Sequence, residues 1–192
     1  VEMRLDSDGE ILIRGGQVFK SYYKDDDATR ESFTKDGYFR TGDIGRVDGD
    51  GYFYIVDRKK DILITAGGKN VAPQNLENLL KSDPRISQVV VVGDCKPYLA
   101  ALIAAAPELR KDKSAGEITS LVESIVNKRN EALAGYEQIK KFRLLPAELT
   151  QEAGELTPTL KVKRKVVTEK YKSLIDEMYA EAKAPERVSA SP

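Results

Sequence analysis

The sequence predicts an α+β fold: a small sheet flanked by about three helices and preceded by further strands. Three observations carry that expectation. A short strand and a hairpin pattern fill the first part of the chain. A run of five charges, Asp57-Arg58-Lys59-Lys60-Asp61, then interrupts the apolar pattern, and beyond it strand-like and helix-like segments alternate. The 192 residues allow one sizeable domain, or one small domain with a piece of another, and an apolar fraction of 41% is enough for a core. The expected organisation is a terminal β portion of a larger domain at residues 1–57, a second domain at 58–181, and a disordered tail at 182–192. Val1 opens the chain in the manner of a strand inside a domain, so a piece of a larger protein is expected.

Taken in order, Glu10–Arg14 (EILIR) reads as a strand ending at Gly15-Gly16. Residues 21–36 are polar and acidic, a surface excursion. Residues 44–47 and 52–56 flank Asp48-Gly49-Asp50-Gly51, whose Asp-Gly steps supply the positive-φ positions of a tight hairpin. Past the charged run, residues 61–65 read as a strand and Ala66-Gly67-Gly68-Lys69-Asn70 as a loop. A helix starts at Pro73, a residue suited to the first helical position, continues through Leu76, Leu79 and Leu80, and stops before Asp83-Pro84. Residues 89–92 and 98–105 are apolar enough for central strands. Ser114 and Glu117 have capping-box spacing ahead of Ile118, Leu121, Val122 and Ile125. Residues 141–145 form another strand. The last helix is expected at 166–179, with Val167, Tyr171, Leu174, Ile175 and Met178 on one face. Residues 183–192 are rich in Ala, Pro and Ser.

Composition narrows the function. Lys plus Arg and Asp plus Glu stand at 31 each, so no net field points to nucleic acid or an anionic membrane. With no histidine and Cys95 alone, the usual zinc ligand sets, a Ser-His or Cys-His pair and an internal disulfide are all excluded, and no metal-ligating residue is expected. No apolar run approaches the roughly 20 residues of a membrane span. The expected location is cytoplasmic, with membrane contact only at the periphery.

Three stretches could carry chemistry. In Thr41-Gly42-Asp43, a carboxylate on a rigid turn can accept hydrogen bonds from two vicinal hydroxyls, which suits a ribose, although an isolated TGD more often reads as a solvated turn. Arg58 by itself reads as half of a surface ion pair. Ala66-Gly67-Gly68-Lys69 lacks the spacing of a nucleotide phosphate loop. Spacing leaves a plain connection and a ligand-facing loop equally open there. The late stretch from Leu156 to Lys165 carries four cations in five residues, from Lys161 to Lys165, and spacing does not single out Lys161.

The order of these stretches is more telling than any one of them. Gly37-Tyr38-Phe39-Arg40-Thr41-Gly42-Asp43, Asp57-Arg58-Lys59-Lys60-Asp61, Thr65-Ala66-Gly67-Gly68-Lys69-Asn70-Val71-Ala72-Pro73 and Thr157-Pro158-Thr159-Leu160-Lys161-Val162-Lys163-Arg164 together resemble the adenylate-forming acyl-CoA synthetases. The likeness runs to about Ala180. The glycine loop, Val92-Gly93-Asp94-Cys95-Lys96-Pro97-Tyr98 and the late motif are most similar to the long-chain fatty acid branch. Short-chain relatives usually carry Ser-Gly where Thr159-Leu160 stands, a departure that leaves the Lys161 to Arg164 spacing intact.

The resemblance implies the C-terminal domain of such an enzyme, preceded by the last strands of its large N-terminal domain. It implies that Asp43 holds both ribose hydroxyls of ATP and that Arg58 contacts the same ribose. Lys60 matches a hinge. Gly67, with Gly68 and Lys69, matches the loop presented for thioester formation with coenzyme A, and Lys161 matches the lysine that bridges carboxylate and α-phosphate during adenylation. ATP, Mg2+, coenzyme A and a fatty acid are the implied substrates and cofactors of the whole enzyme. The large N-terminal domain is its partner, and nothing is expected bound to this piece alone, which should be inactive. Two alternatives stand beside it: another acyl-adenylating ligase for medium-chain, aryl or bile-type acids, and a non-catalytic nucleotide- or CoA-binding module.

Overall fold

The computed structural model describes residues 1–180. The tail expected at 182–192 and the end of the expected second domain at 181 lie outside the described residues. The chain divides into two compact units, Val1–Ile62 and a second that begins at Leu63.

The first unit is an antiparallel sheet of β1 (Glu2–Leu5), β2 (Glu10–Arg14), β3 (Phe39–Val47) and β4 (Phe53–Arg58), in that spatial order, with α1 (Asp26–Ser32) inserted between β2 and β3. Ile11 and Leu12 are its buried centre. Asp48 closes the expected β3–β4 hairpin by accepting from the N–H groups of Asp50 and Tyr52, with Gly51 at φ +87. A single turn of 3-10 helix, Lys59–Asp61, follows β4.

The second unit is α+β, as the sequence predicts. A small hairpin of β5 (Leu63–Ile64) and β6 (Asn70–Val71) leads into α2 (Pro73–Lys81). Then β7 (Ile86–Val92) pairs antiparallel with β8 (Leu99–Ala105). The chain crosses over through α3 (Pro107–Asp112) and α4 (Ala115–Asn130) to β9 (Ile139–Leu144), which runs parallel to β8. Finally α5 (Arg164–Lys170) and α6 (Lys172–Ala180) complete the described chain.

Every residue of β8 is buried, because the strand is central and both of its faces are covered. Leu99, Ala101 and Ile103 pack with Leu76 and Leu80 of α2 and Ile118, Val122 and Ile125 of α4. Ala100, Leu102 and Ala104 face Val167, Tyr171, Met178 and Tyr179 on the other side. The predicted capping box is made: Ser114 Oγ accepts from the Glu117 N–H, and Glu117 accepts from the Ser114 N–H at 2.9 Å.

Two details differ from expectation. The last helix breaks at Tyr171 (φ −102, ψ 24) and α3 adds a short helix, so the sheet carries five helices among the described residues, where about three were expected. Lys170 and Tyr171 both reach one oxygen of Glu155, at 2.8 and 3.0 Å. Consecutive side chains on a regular helix diverge by about 100°, and the departure from helical geometry at Tyr171 is consistent with both reaching one acceptor. Residues 66–69 are the tip of the β5–β6 hairpin, not a strand-to-helix connection, and Asn70 already belongs to β6.

Candidate functional site

In the first unit, strand register brings together the two residues assigned to ribose. Asp43 on β3 faces Arg58 at the end of β4, and Arg58 Nε lies 2.8 Å from Asp43 Oδ1. Arg58 is mostly exposed, while the Asp43 side chain is 20% exposed with Oδ2 lacking a protein donor among the described residues. One carboxylate oxygen is therefore fixed and the other open, an arrangement suited to accepting from hydroxyls.

The turn that aims Asp43 is built from below. Gly42 adopts φ +71, a conformation that penalises any Cβ, and its N–H donates to Glu10 Oε1 at 2.9 Å. Thr41 Oγ1 donates to the Ile11 carbonyl and accepts from the Asp43 N–H at 3.1 Å. Glu10 is buried at the base of this turn, and its Oε2 also takes Lys59 at 2.9 Å and Arg40 at 3.3 Å. The same Lys59 reaches Asp8 at 2.6 Å; Asp8, then Glu10, hold its ammonium above the usual lysine range. Glu10 and Lys59 were not singled out by the sequence, since a glutamate at a strand start and a lysine in a charged run both read as solvated.

Lys60 lies exposed within the single 3-10 turn, just before the first unit ends at Ile62, and has no hydrogen-bond or ion-pair partner among the described residues. Asp6, Asp8 and Glu10 place three carboxylates close together. Lys59 and Arg40 already neutralise this cluster, so its donors do not fit a magnesium ion.

Gly67, Gly68 and Lys69 share the exposed tip of the β5–β6 hairpin. Thr65 ties the tip: its N–H donates to the Lys69 carbonyl, its carbonyl accepts from Gly68, and its buried Oγ1 accepts from the Lys69 N–H. Gly68 adopts φ +72. Ala66 N–H donates to the Lys96 carbonyl and the Cys95 N–H to the Ile64 carbonyl, which braces the hairpin against the loop after β7. The Gly67 backbone is left open, with no side chain to keep a ligand away.

Lys161 also stands near a hairpin tip. Leu156 and Val162 form a bridge, the Thr157 N–H and the Lys161 carbonyl close the turn at 2.8 Å, and Thr157 Oγ1 accepts from the Lys161 N–H at 3.0 Å. Leu160, where short-chain relatives are expected to carry glycine, sits at φ +59, a strained position for a leucine. Lys161 itself is exposed, and its ammonium has no partner among the described residues. No hydrogen bond or ion pair among those residues joins this hairpin to the glycine hairpin.

Four further charged residues, in the pairs Glu155–Lys170 and Glu77–Arg164, hold the Lys161 hairpin, and the sequence did not mark them as functional. Glu155, buried at its entry, accepts from the Thr150 N–H, Lys170 and Tyr171. Burial would raise its pKa, but Lys170, the Thr150 N–H and Tyr171 outweigh it and keep the carboxyl below the usual glutamate range. At the exit, Arg164 donates to Glu77 Oε1 and to the Val91 carbonyl, both at 2.7 Å. Burial pushes the Glu77 carboxyl up, with Arg164 pulling against it.

Comparison with known proteins adds the following. Residues 60–183 match the family described as AMP-binding enzyme C-terminal domain. The chain is 48% identical over 193 residues to the long-chain-fatty-acid–CoA ligase FadD15 of Mycobacterium tuberculosis, covering 92% of this chain and 32% of that protein. It therefore spans about a third of the length of the curated relatives it matches. Among solved structures, the adenylation domain of a carboxylate reductase from Mycobacterium chelonae superposes with a TM-score of 0.82 at 27% identity, over 94% of this chain and 31% of that one. The A-PCP didomain of a carboxylic acid reductase from Segniliparus rugosus, in complex with AMP, has a TM-score of 0.82 at 29% identity, over 94% of this chain and 28% of that one.

Proposed function

The chain belongs to the family of AMP-binding enzyme C-terminal domains, and from that membership we propose that it is the C-terminal portion of a long-chain fatty acid–CoA ligase. Two steps make up the reaction. A fatty acid carboxylate oxygen attacks the α-phosphate of ATP, and the bond to pyrophosphate breaks to give the acyl-adenylate. The coenzyme A sulfur then attacks the acyl carbon, and AMP leaves.

The residues of this chain divide that work. Asp43 accepts the ribose hydroxyls through its open oxygen, while Arg58 holds the other oxygen and borders the same sugar. Lys161 brings a mobile positive charge between the carboxylate and the α-phosphate, where negative charge gathers in the first transition state. The bare backbone at Gly67 and Gly68, with Lys69 beside it, admits the thiol in the second step. Lys60 is the pivot that lets one small domain serve both steps. Magnesium would come with the ATP phosphates, since the described residues offer no ligand set that fits it.

The observation that carries this reading is Lys161: a hairpin anchored on both of its strands presents, near its tip, a lysine with no partner among the described residues. The 48% identity to a long-chain ligase favours a long-chain acid over medium-chain or aryl acids. The retained Asp43, Arg58 and Lys161 argue against a non-catalytic module.

The test is Lys161→Ala in the full-length enzyme, with each half-reaction measured separately. Adenylation should fall by about 10²–10³-fold, as when one well-aimed donor is removed from a transition state. Thioester formation from supplied acyl-adenylate should largely survive. Equal loss of both steps in a folded variant contradicts the assignment.

A further inference from the structure

We propose that Glu77 and Arg164 are a positioning pair that sets where Lys161 stands during adenylation; this rests on the functional reading above. β7 is an edge strand, with β8 on one side and no strand on the other among the described residues. An edge strand presents backbone N–H and C=O groups that need partners when they are covered. At Val91 two side chains take both of them: the N–H donates to Glu77 Oε1 at 2.9 Å, and the carbonyl accepts from Arg164 at 2.7 Å. Glu77 and Arg164 then close on each other at 2.7 Å, with side chains only 6% and 23% exposed.

One peptide unit, one carboxylate and one guanidinium thus lock three elements together: α2 through Glu77, β7 through Val91, and the first residue of α5 through Arg164. Arg164 lies three residues past Lys161, directly after the hairpin strand that carries it. Lysine cannot reproduce this contact, since a guanidinium fork reaches two acceptors in fixed directions and an ammonium does not.

Loss of either partner should let the hairpin shift without unfolding the sheet, because β8 is paired on both sides and covered on both faces. A displacement of about 1 Å at a reacting group costs up to about 10²-fold in rate. The pair should therefore matter to the step that uses Lys161 and not to the step that uses the glycine hairpin.

The experiment uses the full-length enzyme with Glu77→Gln, Arg164→Met and Arg164→Lys. Arg85→Ala, which breaks an ion pair with Asp83 elsewhere in the same unit, serves as control. Palmitate-dependent pyrophosphate release at saturating ATP should fall about 10–100-fold in Glu77→Gln and Arg164→Met, and less in Arg164→Lys. Thioester formation from supplied palmitoyl-adenylate should stay within about twofold, and the double variant should be no worse than the worse single one. Amide exchange should quicken across residues 156–163 and stay unchanged in β8. If Arg164→Met does not fold, the two conservative variants carry the test.

The inference is overturned if both half-reactions slow together, if neither slows, or if β8 exchange rises with that of the hairpin. Lys161→Ala run alongside separates the two levels. Should that variant spare adenylation, the functional reading falls and the pair with it. Should it suppress adenylation alone while the pair variants do not, only the pair is wrong.

Discussion

Glu155→Ala is the perturbation whose cost can be worked most directly from the structure. The carboxylate is buried, with Oε2 accepting from the Thr150 N–H at 3.0 Å and Oε1 accepting from Lys170 and Tyr171 at 2.8 and 3.0 Å. Lys170 is half exposed and can turn to solvent, so its loss adds little. The Thr150 N–H and the buried Tyr171 hydroxyl cannot. Two orphaned donors at about 1–2 kcal/mol each, with about 1 kcal/mol for lost side-chain packing, give a destabilisation of about 3–5 kcal/mol. Glu155→Gln keeps one acceptor oxygen but can turn an N–H group toward the Thr150 donor, so it should cost about half as much. The sign of the pH dependence follows from the lowered folded pKa. Stability from this carboxylate is full above the ordinary glutamate pKa and is lost as pH falls through the folded value. Urea unfolding of the 192-residue chain, followed by far-UV circular dichroism between neutral pH and pH ~3, measures both effects. A Glu155→Ala cost below about 1 kcal/mol, or a cost that does not shrink on acidification, refutes the reasoning.

Asp43→Ala should weaken ATP binding to the full-length enzyme by about 1.5–3 kcal/mol while leaving the fold intact, because the exposed Arg58 can turn to solvent; calorimetry checks this, and unchanged affinity makes Asp43 a turn residue only. Lys60→Pro should spare one half-reaction and suppress the other, since proline fixes φ near −65° and a hinge must change its dihedrals, whereas Lys60→Ala should leave both steps near normal. If Lys60→Pro is folded by thermal unfolding and slows both steps by one factor, Lys60 is not the pivot.

Much of the fold was legible because burial leaves a pattern. EILIR at Glu10–Arg14 is a strand to the residue, β8 was marked by its unbroken apolar run, and Ser114 with Glu117 announced α4. What escaped lacked such a pattern. β1 and α1 contain no buried residue, so no periodicity marks them. The break at Tyr171 falls where Lys170 and Tyr171 meet Glu155, a carboxylate distant along the chain, and no local spacing encodes that contact. The proposed site residues Asp43, Arg58, Lys60, Gly67, Gly68, Lys69 and Lys161 were named through the order of their motifs, not through their chemistry taken singly. Their supports Glu10, Glu77 and Glu155 were not, because a buried glutamate and a solvated one read alike until its partners are known. Arg164 lay in view within the late basic run, yet nothing in four neighbouring cations shows which one turns inward.

The central claim is that this chain belongs to an enzyme that activates a fatty acid through its adenylate. The most direct measurement is product analysis of the full-length protein incubated with palmitate, ATP and magnesium, with and without coenzyme A. Without coenzyme A, the account predicts palmitate-dependent pyrophosphate and a palmitoyl-adenylate that hydroxylamine traps as the hydroxamate. With coenzyme A, it predicts palmitoyl-CoA and AMP in equal amounts, and neither product from the 192-residue chain alone. Release of ADP and phosphate in place of AMP and pyrophosphate, or palmitoyl-CoA made by the 192-residue chain by itself, would contradict it.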